Sequence, residues 1–347
     1  MDDLKLYAKN KQQLQSMSEI VSSYTKDISI SFGLDKCVVL HVNKGKVVSA
    51  QNLLINEDEC IRELEAKEQY NYLGIQQHLK IARKDVKQEL ITMLEMRLRK
   101  ILKTQLSGKH KIKIINTWVI PALSYSFGIL QWSNTSLPEI ARLVKTTLTQ
   151  ERVHHPISSK SRLYLSRKEG GRGLINIEEA CNKQELSLRQ YFHSKITSVY
   201  QAIVTMDHGL TALNLSKADE LNIVSEKERL AELKSKSLHG RFYSQLNEAS
   251  IDKERSVEWL TARRLFSETE GFVVAIQDQV IATRSYRNHV LKDATASDKC
   301  RLCSVALESI QHITGGCGLL AGTEYLQRHN HVAKILHQEL AIKFSSC

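Results

Sequence analysis

Only three prolines, Pro121, Pro138 and Pro156, interrupt the 347 residues of this chain. Proline removes a backbone donor and collides with the preceding turn of a helix. A chain this poor in it, and rich in Leu, Ile, Lys, Glu and Gln, can run helix after helix. Its length allows one good-sized core or two smaller ones. The expected fold is mainly α with a small β component.

The β component is expected in the first 75 residues. Leu14, Met17, Ile20, Val21, Tyr24 and Ile28 recur there at helical spacing and predict one helix with one buried face. The texture then changes to "ISISFGLDKCVVLHVNKGKVVSA", whose β-branched clusters are broken at Gly33 and at "NKGK", so two strands with a turn are expected. The charged stretch "EDECIRELEAKEQ" reads as helical, and "YNYLGI" as another short strand. Ahead of these, "DDLKLYAK" reads as the outgoing strand of a hairpin that carries Asp2 and Asp3 at its turn. Acidic pairs near an N-terminus are usually solvated surface, and alone these two say no more.

Residues 81 to 106 hold the clearest amphipathic pattern. Val86, Leu90, Leu94, Leu98, Ile101 and Leu102 fall on one stripe, and Lys80, Arg83, Lys84, Lys87, Arg97, Arg99, Lys100 and Lys103 crowd the rest. Such a face is either solvated or laid along a nucleic-acid backbone, since phosphate contacts need many cations on one surface. "HKIKIINTWVIPALSYSFGILQW" is apolar and helical, with Pro121 expected to kink or interrupt it. Trp118, Tyr125 and Trp132 lie in it, and in so apolar a stretch core is the expectation over base stacking. "SLPEIARLVKTTLTQ" opens a further helix with Pro138 in its first turn.

In "HHPISSKSRLYLSRKEGGRGLINIEEA", Gly170, Gly171 and Gly173 permit tight backbone geometry among Lys160, Arg162, Arg167, Lys168 and Arg172. A Gly-rich turn can offer N–H groups to phosphate, though this spacing fits neither nucleotide-binding fingerprint. Residues 177 to 270 read as helices with polar connectors, including an N-cap at Ser216 before "KADEL".

Forty-nine Lys and Arg against 38 Asp and Glu give a formal charge of +11, which favours polyanionic partners. Seven cysteines, an odd number without an apolar leader, argue for a reducing compartment. No apolar run reaches the roughly 20 residues of a membrane span. The location expected is intracellular, nuclear or cytoplasmic and not secreted, with no membrane partner. Cys300, Cys303, His312 and Cys317 stand at C-x2-C-x8-H-x4-C, in "CRLCSVALESIQHITGGC". Three thiols and one imidazole at workable spacing suit a closed, structural zinc site far better than magnesium.

Taken in order, the segments resemble the C-terminal part of a reverse transcriptase from a non-LTR retrotransposon of the restriction-like endonuclease class. The resemblance lies in an Asp-Asp pair, a helix, "GLDKC", "YNYLGI", the basic helices, the "RLYL…GGRGL" block and the Cys-Cys-His-Cys knuckle, from Asp2 to about residue 340. It implies the end of a palm over 1–75, thumb-like helices over 76–155, a basic Gly-rich block and helical linker over 156–292, and a zinc knuckle with the start of a nuclease region over 293–347. It also implies that Asp2 and Asp3 are part of a magnesium-ligand set, and that Lys36 matches a lysine proposed to protonate pyrophosphate; an ordinary strand-edge lysine remains the other reading. Lys84, Lys87, Arg97, Lys100, Arg167, Lys168 and Arg172 are the candidate contacts to RNA and DNA, as template–primer duplex or retroelement RNA. The family performs target-primed reverse transcription. Since the resemblance begins inside the catalytic motif, this chain is expected to bind nucleic acid but not to polymerise alone, with magnesium expected only in the full-length enzyme. A domesticated, non-catalytic binding protein with zinc, or a decayed reading frame, are the alternatives.

Overall fold

Asn10 opens the first helix: its side chain accepts a hydrogen bond from the Gln13 amide at 2.9 Å, satisfying one of the donors that every helix start leaves free. A computed structural model describes residues 3–30, 33–49, 51–55, 59–65, 68–216, 223–262, 265–295 and 297–344. The chain divides into two compact units, Met1–Thr92 and Met93–Cys347.

In the first unit, α1 (Lys11–Asp27) lies where the periodicity predicts a helix. Its buried residues, however, are Ser18 and Ser22, while Ile20, Tyr24 and Ile28 are exposed. Small side chains one turn apart allow a close approach, and α1 packs on a strand at Leu53–Leu54. The strands are β1 (Val38–Val39), β2 (Val42–Asn43), β3 (Lys46–Val47), β4 (Leu53–Leu54), β5 (Cys60–Glu63), β6 (Tyr70–Tyr72) and β7 (Ile75–Gln77). β5 is the central strand of a three-stranded sheet, parallel to β1 and antiparallel to β4. It occupies part of the stretch expected to be helical, because pairing on both edges overrides the local preference of a charged segment.

"NKGK" forms the turn between β2 and β3 as expected, with positive φ at Lys44 (49°) and Gly45 (76°). "YNYLGI" is a whole hairpin and not one strand: Leu73 and Gly74 turn at φ 50° and 73° between β6 and β7. Two positive φ values match the right-handed twist of the flanking strands. Residues 3–8 form no strand, which corrects the expected hairpin arm. Lys5 instead donates to Gln77 Oε1 at 3.1 Å and lies over the rings of Tyr7, Tyr70 and Tyr72.

The second unit is helical. It begins within α2 (Arg83–Leu102), whose residues Val86, Leu94, Leu98 and Leu102 are buried as the stripe requires. There follow α3 (Gly108–Ile114), α4 (Ile120–Ser124), α5 (Ser136–Gln150), α6 (Lys160–Tyr164), α7 (Ile177–Ser194), α8 (Ser198–Met206), α9 (Glu226–Ser235) and α10 (Arg241–Gln245). The last are α11 (Lys253–Thr261), α12 (Ser267–Gln277), α13 (Arg284–His289), α14 (Gly318–Leu320) and α15 (Leu326–Phe344). A π-helical turn, Ile115–Val119, joins α3 to α4. It precedes Pro121, which donates no hydrogen bond and crowds the carbonyl four residues back, so the widened turn is the interruption the sequence predicts. α12 packs on α3, and α7 packs on α4 and α5. The expected cap at Ser216 precedes residues 217–222, which lie outside the described residues. No described helix is long and apolar enough to cross a membrane.

Candidate metal centre and basic surface

The metal centre is built on a tight turn. Cys300 N donates to Ala306 O and Ser304 N to Cys300 O, both at 2.8 Å, with Ser304 at φ 57°. The turn places Cys303 back beside Cys300, and Leu302 N points at Cys300 Sγ from 3.4 Å. His312 opens a π turn, His312–Gly316, that leads to Cys317. The four ligand atoms of Cys300, Cys303, His312 and Cys317 all lie within 4.8 Å of one another, and Cys303 Sγ is 3.4 Å from His312 Nε2. Tetrahedral zinc holds sulfur ligands at about 2.3 Å and so about 3.8 Å from each other. The cluster can hold a metal ion such as zinc with little adjustment.

Two groups that the sequence did not single out for chemistry fix this geometry. The Glu308 carboxylate, fully buried, accepts from Arg284 N, Arg301 N and the Arg301 guanidinium at 2.6–2.9 Å. It ties the metal turn to α13, and the Arg301 contacts hold its carboxyl down to about 2. The Tyr325 hydroxyl donates toward His312 O and Ile313 O and accepts from Cys317 N, bracing the segment between the last two ligands. Both residues are a few positions from the cysteines, but nothing in their type marks them as supports.

Cys300 and Cys317 are buried, and Cys303 and His312 are half-buried. The amides of Ala306 and Val305, with the His312 imidazole, bring the Cys303 thiol down to about 6. Burial pushes the Cys317 thiol up. A thiolate is the ligating form, so Cys303 is the ligand most ready to bind.

The Gly-rich block is packed inward. Gly170, Gly171 and Gly173 donate to Arg167 O, Ser166 O and Leu165 O at 2.8–3.1 Å, so their N–H groups are used within the block and are not offered to phosphate. A Cβ on Gly171 would stand 2.1 Å from Leu165 O, which explains glycine there without a ligand. Arg172 is wholly buried: Nη1 donates to Val153 O at 2.7 Å, and Nε lies 2.6 Å from Glu270 Oε1, an ion contact outside hydrogen-bond directions. Arg167 forms a two-pronged pair with Glu270 at 2.8 and 3.0 Å. The expectation that Arg167 and Arg172 contact nucleic acid is corrected accordingly, since both guanidiniums are held inside by Glu270. Arg162 is buried too, against Asp278 at 2.8 Å. Lys168 is the candidate of this block that stands exposed.

On α2, Lys84 and Lys100 are exposed and Lys87 is half-buried. Arg97 donates to Trp118 O at 3.0 Å and stacks on its indole, 4.8 Å from the ring centre. Trp132 is core as expected, its N–H on Ser126 Oγ at 3.0 Å. Trp118 and Tyr125 are not core; they are exposed. At the start of the chain, Asp3 is exposed and Asp2 lies outside the described residues. Lys36 is exposed in a 3-10 turn, Leu34–Lys36, and not on a strand edge. Among the described residues, the Cys3His cluster is the one group of three or more metal-capable side chains that gathers.

No protein-family model matches the chain, and no curated protein matches it.

Proposed function

We propose that the chain binds nucleic acid through its basic helices and holds a structural zinc ion, as part of a non-LTR retrotransposon reverse transcriptase that works by target-primed reverse transcription. The observation that carries this reading is the meeting of Cys300, Cys303, His312 and Cys317 within 4.8 Å, at the point along the chain where the resembled family carries its knuckle. Sulfur and imidazole donors select zinc over magnesium, and four protein ligands leave no open position, so the ion would support folding. A second support is the neighbourhood of the acidic start: Lys5, two residues beyond Asp3, is held by Gln77, Tyr70 and Tyr72 of the β6–β7 hairpin. These are the two segments that the family uses around the primer end.

On this reading, what these residues do is grip template and primer. Two adjacent carboxylates are too few for two-ion phosphoryl transfer, so primer extension is not expected from them alone. The test uses the whole chain with a template–primer duplex. Affinity should fall by about 100-fold or more between roughly 50 and 200 mM salt, as for four or more phosphate contacts, and no primer should lengthen with magnesium and dNTPs. Absent or salt-insensitive binding would contradict the nucleic-acid role, and robust extension would contradict the division of labour.

A further inference from the structure

Of the three tryptophans, Trp118 is the exposed one, at 40% of its surface, against 7% for Trp132 and a half-buried Trp259. It stands on the π turn Ile115–Val119, and such turns recur where a helix must present a side chain for function. Arg97 covers part of the indole and bonds the Trp118 carbonyl, which fixes both ring and backbone. Tyr125, which ends α4, is exposed as well, at 53%.

The surroundings select the partner. Residues 93 to 138 carry seven Lys or Arg and one acidic residue, Glu95; Arg99 is paired with Glu95 at 2.8 Å, Lys109 donates to Thr261 O and Lys111 is buried on Leu102 O and Ser267 Oγ. Lys100, one turn beyond Arg97, and Lys113, one turn before Thr117, are exposed. An exposed indole backed by a guanidinium, on a stretch of chain with exposed lysines, fits a polyanion that also offers flat rings. Duplex nucleic acid hides its base faces, whereas a single strand offers each of them to an aromatic side chain.

We propose that Trp118, backed by Arg97, is a stacking platform for unpaired bases of single-stranded nucleic acid, with the exposed Lys100 and Lys113 available to its phosphates. This rests on the nucleic-acid role proposed above and adds the strand state that this surface selects. An indole with a guanidinium on it gives base stacking and cation–π attraction together. Neither depends on base identity, so the platform tolerates any sequence.

The test measures the full chain against fluorescein-labelled oligo(dT) and a duplex of equal length at one salt concentration. Trp118→Ala should weaken oligo(dT) binding about 5- to 150-fold, the range of one base–aromatic stack, and change duplex binding by less than about twofold, since phosphate contacts dominate there. Trp118→Phe should restore most of the loss, and both variants should keep the wild-type circular dichroism. Unchanged oligo(dT) affinity in Trp118→Ala, with the wild type binding both ligands, overturns the platform and leaves the nucleic-acid role standing. Equal loss on both ligands overturns it as well, by making Trp118 a support of the helix. A wild type that binds neither ligand overturns platform and role together.

Discussion

His154 is 2% exposed, and burial, with Arg172 and Lys145 nearby, pushes its imidazole down to about 3. In the unfolded chain it titrates near 6.5. Between these values the unfolded state binds a proton that the folded state refuses, so stability falls as pH falls from about 6.5 to about 3. One proton gives a slope of up to about 1.4 kcal/mol per pH unit. Urea unfolding of His154→Leu across that window should show a shallower slope than wild type, and parallel curves would contradict the assignment. The same residue scale shows what the sequence exposes. Cys300, Cys303, His312 and Cys317 are legible because ligand chemistry restricts residue types and local spacing. Arg167 and Arg172 are not, because the carboxylate that removes them from the surface, Glu270, is 103 residues from Arg167. An arginine looks the same in sequence whether it faces phosphate or a distant glutamate.

Glu270 also shows how elements are joined. It stands on α12, pairs with Arg167 and Arg172 of the Gly-rich block, and meets α3 at Gly108, where a Cβ would lie 2.6 Å from its carboxylate. Glu270→Ala would leave two guanidiniums buried without their partner, at a cost of about 3–5 kcal/mol. Denaturant unfolding measures this directly; a loss below about 1 kcal/mol, the scale of an exposed pair, would contradict it. Helix positions are largely legible, as α2 and α5 show, since apolar period is local. β5 is not, because its strand character comes from β1 and β4 on either side. The buried face of α1 is hidden in the sequence for a related reason: hydrophobic spacing marks the face with most apolar surface, while contact with β4 favours the small Ser18 and Ser22.

At the scale of the molecule, the metal centre, the Gly-rich block and the Trp118 surface all belong to the unit Met93–Cys347. The ion pairs of Glu270 and Asp278 organise the middle of that unit, while the metal turn is held locally by Glu308 and Tyr325. Two buried thiols are a poor substitute for a core in so short a segment, so on the zinc reading proposed above the last part of the unit would depend on a bound ion. Elemental analysis of the purified full chain tests this dependence and the knuckle on which the functional reading stands. It should give about one zinc per chain, lost in Cys300→Ser and Cys317→Ser. A chain that is fully folded and free of metal would contradict it.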